Sequence, residues 1–251
     1  MTTRYLCFKI FIFWVGIVLF PTTASSQVST KISQANQLYN QNQFHEAATI
    51  YEQAIALGMK NGHLYYNLGN SYFRMGNLPK AILNYVKAQN MLPRNEDVEA
   101  NLNYALRQTV DQLDGRTPHA LEEVLFWIRD LNLSEQKIVL FWINLVFWIA
   151  MAVGLRYRTA AMRLTRNIVL ALLILALVST GFRWHQETHQ SIGVIIPQQV
   201  DIHSGWNDTT VVLFQLHQGT LVSISQEKEN WYEIELPDTK RGWSLKSNIA
   251  Q

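Results

Sequence analysis

The pattern of apolar and polar positions divides the chain into three parts with different periods. In the first half, from residue 27 to residue 115, small and apolar residues recur three and four apart, the spacing of amphipathic helices. Two long apolar runs follow, at 138–155 and 167–184. From residue 191 onward apolar and polar residues alternate in short runs, which is typical of strands. We therefore expect a helical domain, two apolar helices and a small β domain, in that order.

The helical part repeats itself with a period of about 34 residues. The repeated residues are Ala47, Tyr51 and Ala54, which recur as Ala81, Tyr85 and Ala88. The second copy is more complete, since it also has a glycine and a proline at the expected positions. Gly69 would let the two helices of the repeat approach closely, and Pro93 would end the second helix. This pattern resembles the tetratricopeptide repeat, a helix–turn–helix unit that stacks into a curved solenoid. The resemblance implies a surface for holding peptides or proteins.

The first copy of the repeat is weaker than the second. Lys31, Gln34 and Met59 stand where the second copy has two large residues and a proline, so only the second helix of this copy is convincing. After Pro93 one more helix is expected, and it would cap the open edge of the stack. Its apolar stripe comprises Val98, Leu102, Leu106, Val110 and Leu113. The domain is thus placed at 27–115, with an ordinary helical bundle as the alternative.

Residues 1–26 have the pattern of an export signal. Arg4 and Lys9 lead into the apolar run from Ile10 to Phe20, and a proline and small residues follow where a signal peptidase would cut. An uncleaved anchor is the alternative. Cys7, the single cysteine of the chain, falls in this segment. The mature chain would then have no cysteine, which excludes disulfides and thiol catalysis.

The two apolar runs predict transmembrane helices at 138–155 and 167–184, preceded by a linker at 116–137 with an amphipathic helix. The loop at 156–166 carries four arginines and no acid. By the positive-inside rule this loop faces the cytoplasm, so both flanking domains face outward, in agreement with the export signal. Buried helices of a soluble protein are the alternative.

The segment at 191–251 has short strands separated by turn residues, which suggests a small barrel. It resembles a bacterial SH3-like domain. The motifs that carry this resemblance are Leu213–Val222, Trp231–Ile234 and Arg241–Leu245. Members of that family often bind peptides or cell-wall peptide, which would place Trp206, Tyr232 or Trp243 in a groove. Alternatively these aromatic residues are core, with Trp231 filling the barrel, and the domain is a spacer or docking unit.

Composition and motifs exclude several functions. Lysine and arginine total 21 against 19 acidic residues, so no basic field points to nucleic acid. We find no paired carboxylates, nucleophile–base pair, phosphate loop or metal-ligand set, and expect neither an enzyme nor a cofactor. The candidate site is the concave face of the repeats, which would bind an extended peptide or a partner helix. Its residues are Asn36, Tyr39, Asn40, Tyr66, Asn70, Phe73 and Arg74.

Tyr66 and Phe73 are expected to point away from the packing of their own hairpin and to lead the partner contacts. A clamp for a C-terminal carboxylate is disfavoured, because such a ligand would meet Asp97. A solvated helix face is the alternative to a binding groove.

The order of signal, repeats, membrane hairpin and SH3-like domain resembles the BatE family, the E component of the Bacteroides aerotolerance operon. The run from Asn95 to Gln108 is similar to the helix that follows the repeat in that family. The resemblance implies an inner-membrane protein, with both domains in the periplasm, that works beside von Willebrand factor A-type membrane proteins and a MoxR-type ATPase in oxygen tolerance or envelope stress. The expected function is an inner-membrane scaffold whose periplasmic repeats and SH3-like domain each bind partner proteins, with membrane lipid as a further contact. The alternative is an envelope anchor or sensor that binds peptidoglycan peptide through its SH3-like domain.

Overall fold

The computed structural model describes residues 25–111, 127–157, 159–189 and 191–251. The predicted export signal up to residue 24, most of the predicted linker, Leu113 and Arg158 lie outside the described residues. The described parts form an all-α repeat domain, a hairpin of two apolar helices and a seven-stranded antiparallel β domain. This is the fold class predicted from the sequence.

Among the described residues, five helices make up the repeat domain. They are α1 (Ser25–Asn40), α2 (Phe44–Ala56), α3 (Gly62–Arg74), α4 (Leu78–Met91) and α5 (Glu96–Leu106). The first helix of the first repeat forms, although its sequence matches the pattern poorly. Ala35 of this helix is fully buried in the same core cluster as Ala47 and Tyr51. Packing against the rest of the domain therefore stabilises this helix, although its own sequence is a poor match to the repeat.

The second repeat has the close helix contact that its sequence predicts. A Cβ atom on Gly69 of α3 would lie 2.7 Å from Cδ1 of Tyr85 on α4 and 3.3 Å from the carbonyl oxygen of Ala81. Real Cβ atoms do not approach a ring that closely, so only glycine fits here. The turn between α3 and α4 uses Gly76 at a φ of 75°, where the backbone favours glycine. Asn77 then caps α4 by accepting a hydrogen bond from the backbone N–H of Lys80.

Helix α5 is the predicted cap, but its apolar stripe is shorter than expected. Val98, Leu102 and Ala105 are buried against the preceding repeat, and Leu106 is partly buried. The helix ends at Leu106, and Val110 is 71% exposed. The predicted extension of the stripe to Val110 is therefore wrong, because the chain leaves the helix and turns toward the β domain.

The apolar hairpin consists of α7 (Leu133–Arg156) and α8 (Ala160–His189), preceded by the short α6 (Trp127–Asp130). Both long helices are long and apolar enough to cross a membrane, and only 6% of the most apolar stretch of each is buried. They extend beyond the predicted limits, so Arg163 lies in the first turns of α8 rather than in a loop. Arg156, Arg163 and Arg166 lie at the same end of the hairpin, whereas Arg183 lies near its other end.

The β domain is a seven-stranded sheet in the order β3-β2-β6-β5-β4-β1-β7. Its strands are β1 (Ser191–Ile195), β2 (Gln199–His203), β3 (Val212–His217), β4 (Leu221–Lys228), β5 (Trp231–Glu235), β6 (Arg241–Leu245) and β7 (Ile249–Ala250). The core of the domain is aliphatic and includes Ile195, Ile202 and Ile234, all fully buried. A register shift between Ile224 and Gln226 marks a bulge in β4.

The β domain packs against α4, on the side of the repeats away from the groove described below. Val194 of β1 belongs to the same buried cluster as Ile82, Leu83 and Val86 of α4, and Leu221 is packed against it. Every residue from Ala81 to Val86 is buried, which a helix covered on one side alone would not show.

The C-terminal end of α4 contacts the apolar hairpin. The Asn132 amide donates a hydrogen bond to the Met91 carbonyl at 3.0 Å, and Arg183 donates to the Asn90 carbonyl at 3.3 Å. Arg94, just beyond α4, forms an ion pair with Glu135. Helix α4 therefore connects the hairpin at its C-terminal end with the β domain along its length.

Candidate functional site

The concave face of the repeat domain is built on a ladder of hydrogen bonds between tyrosine and asparagine. In the first repeat the Asn36 Oδ1 atom accepts from the Tyr51 hydroxyl at 2.5 Å and from the Asn67 amide at 3.1 Å. In the second repeat the Asn70 Oδ1 atom accepts from the Tyr85 hydroxyl at 2.8 Å and from the Asn101 amide at 3.0 Å.

The two sets occupy equivalent positions of successive repeats. The equivalent pairs are Asn36 and Asn70, Tyr51 and Tyr85, and Asn67 and Asn101. The same arrangement is thus formed twice, and each set joins three successive helices of the stack. The Tyr66 hydroxyl also accepts from the Asn101 amide, at 2.9 Å. The ladder fixes the relative positions of α1, α3 and α5, which form the concave face.

Burial of the tyrosines accounts for the charge state of the ladder. Burial raises the pKa of Tyr51 to about 12, although its side-chain hydrogen bonding acts in the opposite direction. The pKa of Tyr85 is raised further, again chiefly by burial. Both phenols therefore stay protonated and act as hydrogen-bond donors at physiological pH. The hydrogen bonds that Tyr51 and Tyr85 donate to the ladder are therefore made by neutral phenols.

An open pocket of about 150 Å³ lies over the second set of the ladder. It is lined by Tyr39, Asn70, Phe73, Arg74, Tyr85, Asn101 and Tyr104. Arg74 is the one charged side chain among these described lining residues, and its guanidinium lies 4.6 Å from the centre of the Phe44 ring. The Tyr104 ring meets Phe73 edge to face at 5.7 Å. The pocket thus combines aromatic walls, amide groups and one cation.

The structure brings four of the seven predicted groove residues together in the pocket, and the other three lie outside it. Tyr39, Asn70, Phe73 and Arg74 line the pocket, whereas Asn36, Asn40 and Tyr66 do not. Tyr66 and Phe73 were expected to point away from the packing of their hairpin. Both instead pack against the core cluster, and the Tyr66 ring lies 6.1 Å from that of Tyr85. Truncating them would weaken the fold as well as the groove.

Three lining residues were missed by sequence reasoning: Tyr85, which the repeat pattern assigned to helix packing, and Asn101 and Tyr104, which belong to the capping helix. Each of the latter two lies one repeat period after a ladder residue, Asn101 after Asn67 and Tyr104 after Asn70. Extending the repeat register into α5 would have identified both. Tyr104 is 60% exposed and is therefore the most accessible aromatic ring of the pocket.

The aromatic residues predicted for a groove in the β domain do not form one site. Trp243 is opposite Glu233 in the sheet, so Tyr232, the neighbour of Glu233, points to the other face. Tyr232 packs there against the aliphatic core. Trp206 and Trp243 do meet, with ring centres 5.6 Å apart, but Trp243 is only 7% exposed.

Trp231 is buried as predicted, yet it does not fill the aliphatic core. Because Trp231 lies two residues from Glu233 on β5, it shares the face of Trp243, and its ring meets that of His203 at 5.6 Å. On this face Trp206 remains 46% exposed, and the Lys228 amine lies 3.1 Å from the centre of its ring. The result is a packed aromatic cluster covered by a lysine.

Asp111 holds the β domain to the end of the repeat domain. Its carboxylate accepts from the His217 backbone N–H at 2.6 Å and from the Thr220 hydroxyl at 2.7 Å, and it lies 2.9 Å from the His217 ring. Burial alone would raise the pKa of Asp111, but the hydrogen bonds from Thr220 and His217 lower it below its ordinary value. Between the two hydrogen-bonded residues, Gly219 adopts a φ of 88° and faces Thr109.

The described part of the chain places no group of three or more His, Cys, Asp or Glu side chains where they could hold a metal ion. The geometry is that of a module with paired helices and an open concave face. Comparison with known families agrees: residues 35–76 match a family model described as TPR repeat, and residues 62–95 match the tetratricopeptide repeat. No curated protein matches the chain. The chain contains tetratricopeptide repeats, which point to a non-catalytic module for protein–protein interaction.

Proposed function

We propose that this protein is a membrane-anchored scaffold that binds partner proteins in the groove of its tetratricopeptide repeats. The observation that carries the proposal is the open pocket over the second ladder set, with Arg74 and Tyr104 at its accessible rim. An open concavity with aromatic walls and few polar groups is the usual form of a binding site. Arginine and tyrosine are also the residue types that most often dominate binding energy at protein interfaces.

The polar groups of the groove suit an extended segment of a partner. Asn36 and Asn70 use their Oδ1 atoms in the ladder, and within the described residues neither Nδ2 group has a hydrogen-bond partner. These donors lie one repeat apart and can bind backbone carbonyl groups of an extended chain. Arg74 is the cation of the pocket and suits a carboxylate in the same segment.

The location that we propose is the bacterial inner membrane, with the repeat and β domains in the periplasm. It is supported by the two long apolar helices and by the four arginines of the segment 156–166, which joins them in the sequence. The order of domains, which resembles that of the BatE family, supports von Willebrand factor A-type membrane proteins of an aerotolerance or envelope-stress complex as partners.

For the β domain we propose a docking role within the chain. The alternative, an anchor that binds peptidoglycan peptide, needs Trp206, Tyr232 and Trp243 on one open surface. Only Trp206 is substantially exposed, and its ring is covered by Lys228. Retention of the full-length protein on purified murein, lost on Trp206→Ala, would restore the anchor hypothesis.

The groove is tested by photocrosslinking in living cells. A photoreactive amino acid in place of Tyr104 should crosslink the proposed von Willebrand factor A-type proteins, whereas the same group in place of the adjacent Asn103 should not. Arg74→Gln should weaken binding by about 2 kcal/mol, roughly 30-fold in Kd. Arg107→Gln is the matched control, because Arg107 is exposed and does not line the pocket. Equal effects of the two arginine variants would contradict the proposal.

The topology is tested separately. Alkaline phosphatase fused after Gln251 or Asp114 should be active, and the enzyme fused at Ala161 should be inactive, because phosphatase folds only outside the cytoplasm. Replacing the arginines near Ala161 should scramble the orientation. Activity at Ala161 in the native sequence would reverse the assignment.

A further inference from the structure

A single carboxamide interrupts the apolar surface of α7. Asn144 lies at the middle of this helix, which begins at Leu133 and ends at Arg156. Within the predicted membrane span 138–155 it lies two to three residues from the centre, about 4 Å at 1.5 Å per residue, and a bilayer has a hydrocarbon core of about 30 Å. If α7 crosses a membrane, as the proposed function requires, Asn144 is therefore close to the bilayer midplane.

The Asn144 side chain is exposed on the surface of the hairpin. Helix α7 meets α8 along a stripe that includes Leu140, Ile143 and Phe147, which are less exposed than their neighbours, and Gly154, which faces Met162. Asn144 projects to one side of this stripe. In the described part of the chain the Asn144 carboxamide has no hydrogen-bond partner. By contrast Asn84, also within a helix, donates to the carbonyl of Lys80 at 2.7 Å.

Lipid cannot satisfy such a group. A carboxamide has two N–H donors and an acceptor oxygen, and the hydrocarbon core offers none of their complements. Polar side chains within membrane helices accordingly form hydrogen bonds across helix–helix contacts. The rest of the Asn144 side of α7 is apolar, with Phe141 50% exposed and Trp148 43% exposed. This side can pack against a helix that has a polar group at the same depth.

We propose that the Asn144 side of α7 is a self-association surface, on which two copies of this chain pair through reciprocal Asn144–Asn144 hydrogen bonds in the membrane. A second copy meets the depth requirement automatically, because its α7 crosses the same bilayer in the same direction with the same residues. Each carboxamide can donate to and accept from the other, as a two-fold axis requires. The pair would present two repeat grooves on one side of the membrane.

The test uses the full-length chain in native membranes, with Cys7→Ser so that each added cysteine is unique. Phe141→Cys lies on the Asn144 side, and the control Val146→Cys lies on nearly the opposite side at a similar depth, where the side chain is 49% exposed. Oxidation should link two copies through residue 141 and not through residue 146. Equal crosslinking at both positions, or links to a different protein at residue 141, would overturn the proposal.

The role of the carboxamide itself is measured by energy transfer between labelled copies in lipid vesicles, as a function of the protein-to-lipid ratio. Asn144→Leu should lower the association constant by roughly 3- to 30-fold, and Asn144→Gln should retain most of it. An unchanged association constant for Asn144→Leu would overturn the proposal. Extraction with alkaline carbonate distinguishes the two hypotheses. A chain that is released was never in the bilayer, so the proposed location fails, whereas a retained chain that stays monomeric contradicts the pairing alone.

Discussion

The repeat domain and the β domain each gather several aromatic side chains near their surface, with opposite results. In the repeat domain, Tyr39, Phe73 and Tyr104 surround a pocket of about 150 Å³. In the β domain, Trp231 and Trp243 are each 7% exposed. The difference lies in what holds the rings. The groove has a hydrogen-bonded ladder behind it that keeps three helices at fixed separations, whereas the rings of the β domain pack on one another. Aromatic content alone does not distinguish a site from a core.

The largest loss of stability is expected on truncation of an aromatic residue that is buried in the β domain. Trp243→Ala should destabilise the β domain by about 3–5 kcal/mol, because it removes a buried indole from a packed face. Hydrogen exchange of the β5 and β6 amides in the full-length protein would report the loss. Trp206→Ala is the matched control and should change protection little, since its ring is 46% exposed. Similar losses of exchange protection for both variants would mean that the buried Trp243 stabilises the domain no more than the exposed Trp206.

A smaller loss of stability, in the domain that contains the groove, is expected on substitution at the close contact between α3 and α4. Gly69→Leu should destabilise the repeat domain by about 1–3 kcal/mol, because its first side-chain atom already collides with the Tyr85 ring. Thermal melting followed by circular dichroism would measure the change. The control is Gly181→Leu in α8, where an added Cβ meets nothing within 4 Å. No change in melting for Gly69→Leu would contradict the packing of the second repeat.

The docking of the β domain on the repeat domain is expected to depend on Asp111 to a comparable extent. Asp111→Ala removes a charged acceptor, and a hydrogen bond to a charged group contributes about 1.5–3 kcal/mol. Limited proteolysis between the domains, together with exchange at β1, would detect release of the β domain. The control is Asp208→Ala, an exposed acid in the loop before β3.

The same contact has a defined dependence on pH. The pKa of Asp111 is lower in the folded protein than in the unfolded chain. Its contribution is therefore fully present above the unfolded value, about 4, and is lost as the pH falls through the lower folded value. Asp111→Ala should show less acid sensitivity in the release of the β domain than the native chain. Identical acid profiles would show that other groups control the docking.

The smallest effect is expected from the ladder. Tyr51→Phe removes one neutral hydrogen bond and leaves the Asn36 oxygen with its bond from Asn67, so the loss of stability should be about 1 kcal/mol. Tyr85→Phe should cost a similar amount and should also alter the pocket, because Tyr85 lines it. Partner binding should therefore fall for Tyr85→Phe and not for Tyr51→Phe. If both variants bind normally, the ladder stabilises the fold without shaping the pocket.

The sequence predicted the architecture well, since each region has its own period and the two repeats keep a common register. It predicted the groove less well, because the pattern identifies which helix face is concave but not which of its side chains bond to each other. Asn36 and Asn70 looked like free ligands for a partner, yet their oxygens are occupied by Tyr51 and Tyr85. That pairing depends on the spacing of the helices, which the chain alone does not display.

The sequence contains an indication that the β domain contacts α4, but it appears only when the two repeats are compared position by position. At three equivalent positions α2 has Ala48, Thr49 and Glu52 and α4 has Ile82, Leu83 and Val86. Thr49 and Glu52 are exposed, whereas all three α4 residues are buried. Departure of one repeat from its neighbour toward larger apolar residues therefore indicates a second contact surface, and the tertiary structure was needed to show what covers it.

The contacts at both ends of α4 have a consequence for the reach of a captured partner. This helix has 14 residues and a length of about 21 Å. Its last turn is bound to the top of the apolar hairpin and its first turn abuts Gly219 of the β domain. With the hairpin in a bilayer, these contacts hold the repeat domain, and with it the groove, in one position relative to the membrane. A partner anchored in the same membrane would need a tether long enough to reach the groove, so shortening such a tether should abolish capture without altering the groove.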